Sequence, residues 1–216
     1  MPRENIFDDV AKATVTLLGK GGQGVLVSSN LILTAAHCIN FSFKGGMVLG
    51  DHRFFEKIKT GEGELIVAPL AVEPVSDLAC LGSLDEQIAA KEAEDFEKFC
   101  EQTSPVPLCR RNYEIRKDFR VHIYTHKGTW VTGSAKQCRE DANALYVEAD
   151  EQIEGGTSGG PIINDSGDLV GIVSHFSLAT EGQHQCWGLT PRPHLALPVW
   201  VCRRIFGGSL EDDHAA

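Results

Sequence analysis

Short runs of β-branched and apolar residues, broken every few positions by turn formers, constrain the fold of this chain more than any other feature. From Ala13 to Leu81 these runs are Thr14-Val15-Thr16-Leu17-Leu18, Gly24-Val25-Leu26-Val27, Leu31-Ile32-Leu33-Thr34, Gly46-Met47-Val48-Leu49 and Glu64-Leu65-Ile66-Val67-Ala68. Lys20-Gly21-Gly22-Gln23 and Ser28-Ser29-Asn30 supply turns between them. The second half repeats the pattern at 119–124, 129–133, 145–148, 160–163 and 169–173, the last two joined by a hairpin over Asn164-Asp165-Ser166-Gly167. Runs this short and this evenly spaced predict an all-β barrel or sandwich.

Leu84 to Glu101, between the halves, holds seven acids and no glycine, a composition that predicts a connecting helix. Its acids form a solvated face, and Ile88, Phe96 and Phe99 are expected to pack inward. A second helix is predicted over Pro198 to Phe206, with proline in the first turn and Gly207-Gly208 as the stop. Gly208 to Ala216 reads as a frayed tail.

A chain of 216 residues with 42% hydrophobic content can bury a core without staples. Its formal charge of −10 repels phosphate backbones and anionic lipid, so neither nucleic acid nor membrane is an expected partner. The acidic opening residues lack an apolar stretch of signal-peptide length, and no run reaches membrane-spanning length, which predicts a cytoplasmic location. The seven cysteines, an odd count with no close pair, fit reduced thiols better than a disulfide framework; secretion with other pairings is the alternative. Cys80 is expected in the core. No metal site is expected, because His122 with His126, and His184 with Cys186, lack a second close pair. No cofactor is implied: Gly19 to Gly24 lacks the Lys-Ser/Thr of a phosphate loop.

Three segments carry chemistry: Thr34-Ala35-Ala36-His37-Cys38, Ser76-Asp77-Leu78-Ala79 and Gly155-Gly156-Thr157-Ser158-Gly159-Gly160-Pro161. A serine hydroxyl is a poor nucleophile at neutral pH. It needs an imidazole to take its proton and a carboxylate to orient that imidazole and stabilise its cation. His37, Asp77 and Ser158 can supply these groups, in the chain order His, Asp, Ser.

With these motifs the chain resembles the trypsin-like (chymotrypsin-fold) serine peptidases over roughly Val10 to Phe206, and in pattern the bacterial HtrA-type protease domain without a PDZ domain. The resemblance implies two six-stranded antiparallel β-barrels with the active site between them, a connector helix and a C-terminal helix. Its boundaries are a first barrel over 10–83, a connector over 84–112, a second barrel over 113–192 and the closing helix over 193–207. It implies a serine endopeptidase acting on protein or peptide substrates through an acyl-enzyme, with Ser158 as nucleophile, His37 as general base and acid, and Asp77 orienting His37. It also implies an oxyanion hole from the N–H groups of Gly156 and Ser158, and a primary pocket near Gln152, Ser174, His175 and Phe176. Ser174 is further expected to pair its backbone with a substrate strand.

Two departures from the secreted trypsins stand out. Thr157 replaces their aspartate, and no Ile-Val-Gly-Gly lies upstream of His37, which argues against activation by a new amino terminus and leaves room for a regulatory protein partner. Gly22 occupies the position of the cysteine that would pair with Cys38. The alternatives to a protease are a catalytically silent peptide-binding module on the same fold and an esterase using the same site.

Overall fold

The computed structural model describes residues 6–28, 30–40, 48–49, 55–74, 77–109, 117–137, 145–174 and 195–196. The chain enters through helix α1 (Ile6–Ala13), which the sequence reading did not foresee. Eight residues are too few for a helical period to show. Asp8 and Asp9 in the first turn and Lys12 in the last suit the helix dipole, and Thr14 Oγ1 donates to the Val10 carbonyl at 2.7 Å.

The first half then forms β1 (Thr14–Leu17), β2 (Gln23–Val27), β3 (Leu31–Ala35), β4 (Val48–Leu49), β5 (Glu56–Lys59), β6 (Glu64–Glu73) and β7 (Leu78–Gly82). The order β6-β5-β1-β2-β3-β7 closes on itself through a β6–β7 pairing, so six strands make a barrel; β4 attaches to β6 outside that ring. β6 serves β5 with its first half and β4 with its second, and its register against β7 shifts between Pro69 and Ala71. Proline has no N–H for the ladder, which suits an irregularity at this point. β5 escaped the reading because Ile58 is its single apolar residue: Glu56 and Ile58 turn inward while Lys57 and Lys59 face out.

Helix α2 (Glu86–Gln102) follows, capped by Asp85, whose carboxylate accepts from the Gln87 N–H at 2.9 Å. Phe96 and Phe99 are buried as expected, but Ile88 is 70% exposed. The exposure has a local cause. Ala89 leaves helical geometry (φ −143, ψ 61), so the first turn is out of phase with the face that carries the phenylalanines.

The second half forms β8 (Asp118–Tyr124), β9 (Trp130–Gln137), β10 (Leu145–Ala149), β11 (Pro161–Ile163), β12 (Leu169–Ile172) and β13 (Leu195–Ala196). They make an antiparallel sheet in the order β10-β9-β8-β11-β12-β13. Unlike the first barrel, this sheet is a curled half-barrel: among the described residues no ladder joins its edges, β10 and the two-residue β13. β13 also carries the second sheet past the boundary expected at 192. The remainder of the predicted C-terminal helix, 197–207, lies outside the described residues.

The halves are joined by shared burial. Successive residues of a strand point to opposite faces, and the β11–β12 hairpin is buried on both. Ile162 and Val170 belong to the second core, whereas Ile163 and Leu169 join the core of the first barrel. The extended connector reinforces this: Val106 N–H donates to the Leu26 carbonyl at 2.9 Å and Leu169 N–H to the Pro107 carbonyl at 2.7 Å. The glycine-rich segment that carries Ser158 therefore enters β11 from a platform fixed to both halves.

Phe96 is fully buried and Ile88 is not, so truncation should separate them. Phe96→Ala is expected to lose about 3–5 kcal/mol in urea unfolding, while Ile88→Ser stays within about 0.5 kcal/mol of the parent.

Candidate active site

Strand register brings two of the three catalytic candidates together. β3 pairs antiparallel with β7 so that Thr34 faces Ala79 and Ala35 faces Leu78; one step further, Ala36 N–H donates to the Asp77 carbonyl at 3.0 Å. A 3-10 turn over Ala36–Cys38 then lifts His37 toward Asp77. The carboxylate accepts from His37 twice: from ring Nδ1 at Oδ2, 2.7 Å, and from the backbone N–H at Oδ1, 2.9 Å. Asp77 achieves this with φ of 53, a left-handed conformation that Asp and Asn tolerate better than other side chains.

The third donor comes from the other half of the chain. Ser174 Oγ donates to Asp77 Oδ2 at 2.5 Å, and the Ser174 carbonyl accepts from Ser158 Oγ at 3.4 Å. Ser158, Ser174, Asp77 and His37 thus form one connected set. Burial pushes the Asp77 carboxyl up, but the bonds from the His37 ring, Ser174 and the His37 N–H outweigh it and hold the acid below its usual value of 3.8. The bond to Asp77, followed by one with Cys38, raises His37 well above its ordinary 6.5 against the opposing effect of burial.

Ser158 is fixed through its backbone. Gln23 N–H donates to the Ser158 carbonyl at 2.7 Å, and the Cys38 thiol approaches the same oxygen at 3.6 Å. Gly159 N–H donates to Val173 O at 2.6 Å, and Val173 N–H returns to Gly160 O at 2.8 Å. A Cβ on Gly159 (φ +80) would run into the Gln23 carbonyl, which explains the glycine. At Gly22 a Cβ would lie 2.5 Å from Cys38 Sγ; the missing partner of Cys38 is therefore opposite it in space as well as in sequence. Cys80 lies in the core as expected, and burial raises the Cys100 thiol to about 11.

The preceding loop presents backbone donors. Gly156 has φ of +94, a region open to glycine. The N–H groups of Thr157, Gly159 and Gly160 bond to Glu154, Val173 and Thr157 carbonyls, whereas those of Gly156 and Ser158 find no acceptor among the described residues. Gln152 is exposed, Ser174 is buried, and His175 and Phe176 lie outside the described residues, as do His184 and Cys186. His122 is occupied by Asp165 at 2.9 Å and His126 by Thr157 at 3.1 Å. No cluster able to hold a metal occurs among the described residues, and none of their helices is long and apolar enough to cross a membrane. Gln23 and the hydroxyl of Ser174 were missed as site residues, since a docking contact between distant segments leaves no period or motif.

The fold and this arrangement define a trypsin-like serine protease with a chymotrypsin-like architecture. The chain belongs to the family of trypsin-like peptidase domains, whose model matches residues 22–172. Among solved structures it is similar to the Rv3671c protease of M. tuberculosis in its active form, at 16% identity over 96% of this chain and 86% of that one, with a TM-score of 0.58. The inactive form of that protease matches with a TM-score of 0.57 and 16% identity, over 96% of this chain and 95% of the other. A serine endoprotease from Yersinia pestis matches at 19% identity over 94% of this chain and 64% of its own, with a TM-score of 0.55. A search of curated proteins finds none that matches.

Ser174→Ala removes one of the donors to a largely buried carboxylate. It is expected to cost about 1–3 kcal/mol in unfolding at neutral pH. Because Asp77 is depressed on folding, its stabilisation is present above 3.8 and lost as pH falls through the folded value. The deficit of the variant should therefore shrink below pH 3.8 when urea titrations are compared across pH.

Proposed function

We propose that the protein is an endopeptidase that cleaves protein or peptide substrates through an acyl-enzyme on Ser158. The observation that carries this reading is that Asp77 accepts from His37 twice, from ring and backbone, while Ser174 links the same acid to Ser158. Asp77 fixes the tautomer with the proton on Nδ1, which makes the unprotonated Nε2 the nitrogen that acts as base. His37 takes the Ser158 proton as Oγ attacks the scissile carbonyl, then returns it to the leaving amine; water repeats the sequence to release the acid. The N–H groups of Gly156 and Ser158 receive the charge that develops on the carbonyl oxygen, a role worth roughly 10²–10³ in rate per donor in a characterised enzyme. The Ser174 backbone flanks the nucleophile, a position suited to pairing with an extended substrate.

A fluorophosphonate probe should label Ser158 alone, located by peptide mass spectrometry, and Ser158→Ala should remain unlabelled. Well-folded protein that takes no label would instead favour the silent peptide-binding module. Neutral His37 is the base, and Asp77 raises its affinity for a proton, so the acid limb of kcat/KM lies above pH 6.5 and activity grows as pH rises through it. In Asp77→Asn that limb is expected to move down toward 6.5 while kcat falls by about 10⁴, as read from the pH profile of fluorogenic casein hydrolysis.

A further inference from the structure

The loop that would hold the oxyanion contains little to hold itself. Gly155 and Gly156 carry no side chains, and glycine reaches many backbone states at similar energy. The turn they occupy is closed by a single long bond, Thr157 N–H to the Glu154 carbonyl at 3.4 Å. Turning over the peptide between Gly155 and Gly156 would aim the Gly156 N–H away from the nucleophile. Something outside the loop has to select its conformation.

One side chain between Gly155 and Ser158 can serve as an anchor, the fully buried Thr157. Its hydroxyl meets a single residue of the β8–β9 hairpin. His126 Nδ1 lies 3.1 Å from Thr157 Oγ1, and the His126 backbone N–H donates to the same oxygen at 3.4 Å. The imidazole also fills the space beside Gly156: a Cβ built there would meet His126 Cγ at 3.3 Å. Two successive residues of the loop are thus held by one ring. Next to it, Lys127 pairs with Glu154 at 2.6 Å; both partners are exposed, so solvent screens this pair and it guides the loop more than it holds it.

The hairpin is rigid enough to act as a support. Tyr124 pairs with Trp130, Thr125 N–H donates to the Thr129 carbonyl at 2.9 Å, and the hydroxyls of Thr125 and Thr129 lie 2.8 Å apart. Gly128 (φ +76) completes the turn, its N–H bonded to the Thr125 carbonyl at 2.9 Å.

We propose that His126 is a positioning residue that latches the oxyanion loop through Thr157 and the face of Gly156, so that the Gly156 N–H is aimed at the substrate carbonyl without an activating cleavage. The assignment rests on Ser158 being the nucleophile. It makes the latch part of the chain as folded, and it gives the loop a defined point of release: displacing the hairpin tip would turn the enzyme off.

The test is saturation kinetics of fluorophosphonate labelling at Ser158, which separates probe binding (KI) from the chemical step (kinact). His126→Phe keeps a ring over Gly156 but cannot bond Thr157, and Thr157→Val keeps the shape without the hydroxyl. Each is expected to lower kinact by about 10- to 100-fold, on the order of losing the use of one oxyanion donor, with KI unchanged. The double variant should be no worse than either single one, and His126→Asn, which restores a polar atom near the Nδ1 position, should recover most of the rate. Urea midpoints are measured alongside. A parental kinact in either single variant overturns the latch, as does a loss that follows the urea midpoints and is not recovered by His126→Asn. Failure of the parent protein to label at Ser158 overturns instead the reading of Ser158 as nucleophile.

Discussion

The carboxylate of Asp77 accepts from the His37 ring, the His37 backbone and the Ser174 hydroxyl, and the other features of the site are arranged around that requirement. A charge taken out of water must recover its lost hydration from fixed donors, and removing one leaves an expensive vacancy. Two donors are neighbours in the first barrel, while the third belongs to the segment that follows β12. The acid therefore stabilises the joint between the halves as well as orienting the imidazole, and the halves cannot separate without exposing or stranding it. The same contact sets the proton affinities in opposite directions, Asp77 lowered and His37 raised.

Around this acid, rigid and permissive backbone are distributed unequally. The strands that carry His37 and Asp77 are locked by register, and the β11–β12 hairpin is buried on both faces. The segment from Gly155 to Gly160 is mostly glycine and takes its shape from outside, through Gln23 against Ser158, Val173 against Gly159 and Gly160, and His126 against Thr157. Positive φ at Asp77, Gly156 and Gly159 places unusual backbone in and beside the candidate site. Such conformations persist only when surrounding contacts determine them. A site built this way is precise as long as both halves remain docked.

Much of this was legible in the sequence, for identifiable reasons. The apolar runs from Thr14 to Val173 marked most strands because half-buried pleated surfaces demand β-branched residues, and the acid-rich stretch from Leu84 to Glu101 marked α2. β5 was hidden because its inward residues are Glu56 and Ile58, and the α1 helix because it has only two buried positions, Val10 and Ala13. Ile88 misled because periodicity assumes a continuous helix, and Ala89 interrupts it. His126 drew notice only with His122, as a metal pair set aside for lack of a second close pair; the fold places it against Thr157, thirty-one positions away.

The sequence by itself determined the all-β character and the division into two halves, and it singled out His37, Asp77 and Ser158 as candidates, since all of these depend on residue type and order along the chain. Tertiary structure alone decided that the first barrel closes while the second sheet stays curled and open among the described residues. It also decided that Ser174 donates to Asp77, that Gln23 seats the Ser158 loop and that a hairpin tip meets Thr157. The physical reason is range. Propensity, period and turn chemistry act over a few residues, whereas a buried polar group is satisfied by whatever donor the fold brings within about 3 Å, and distance along the chain does not constrain which donor that will be.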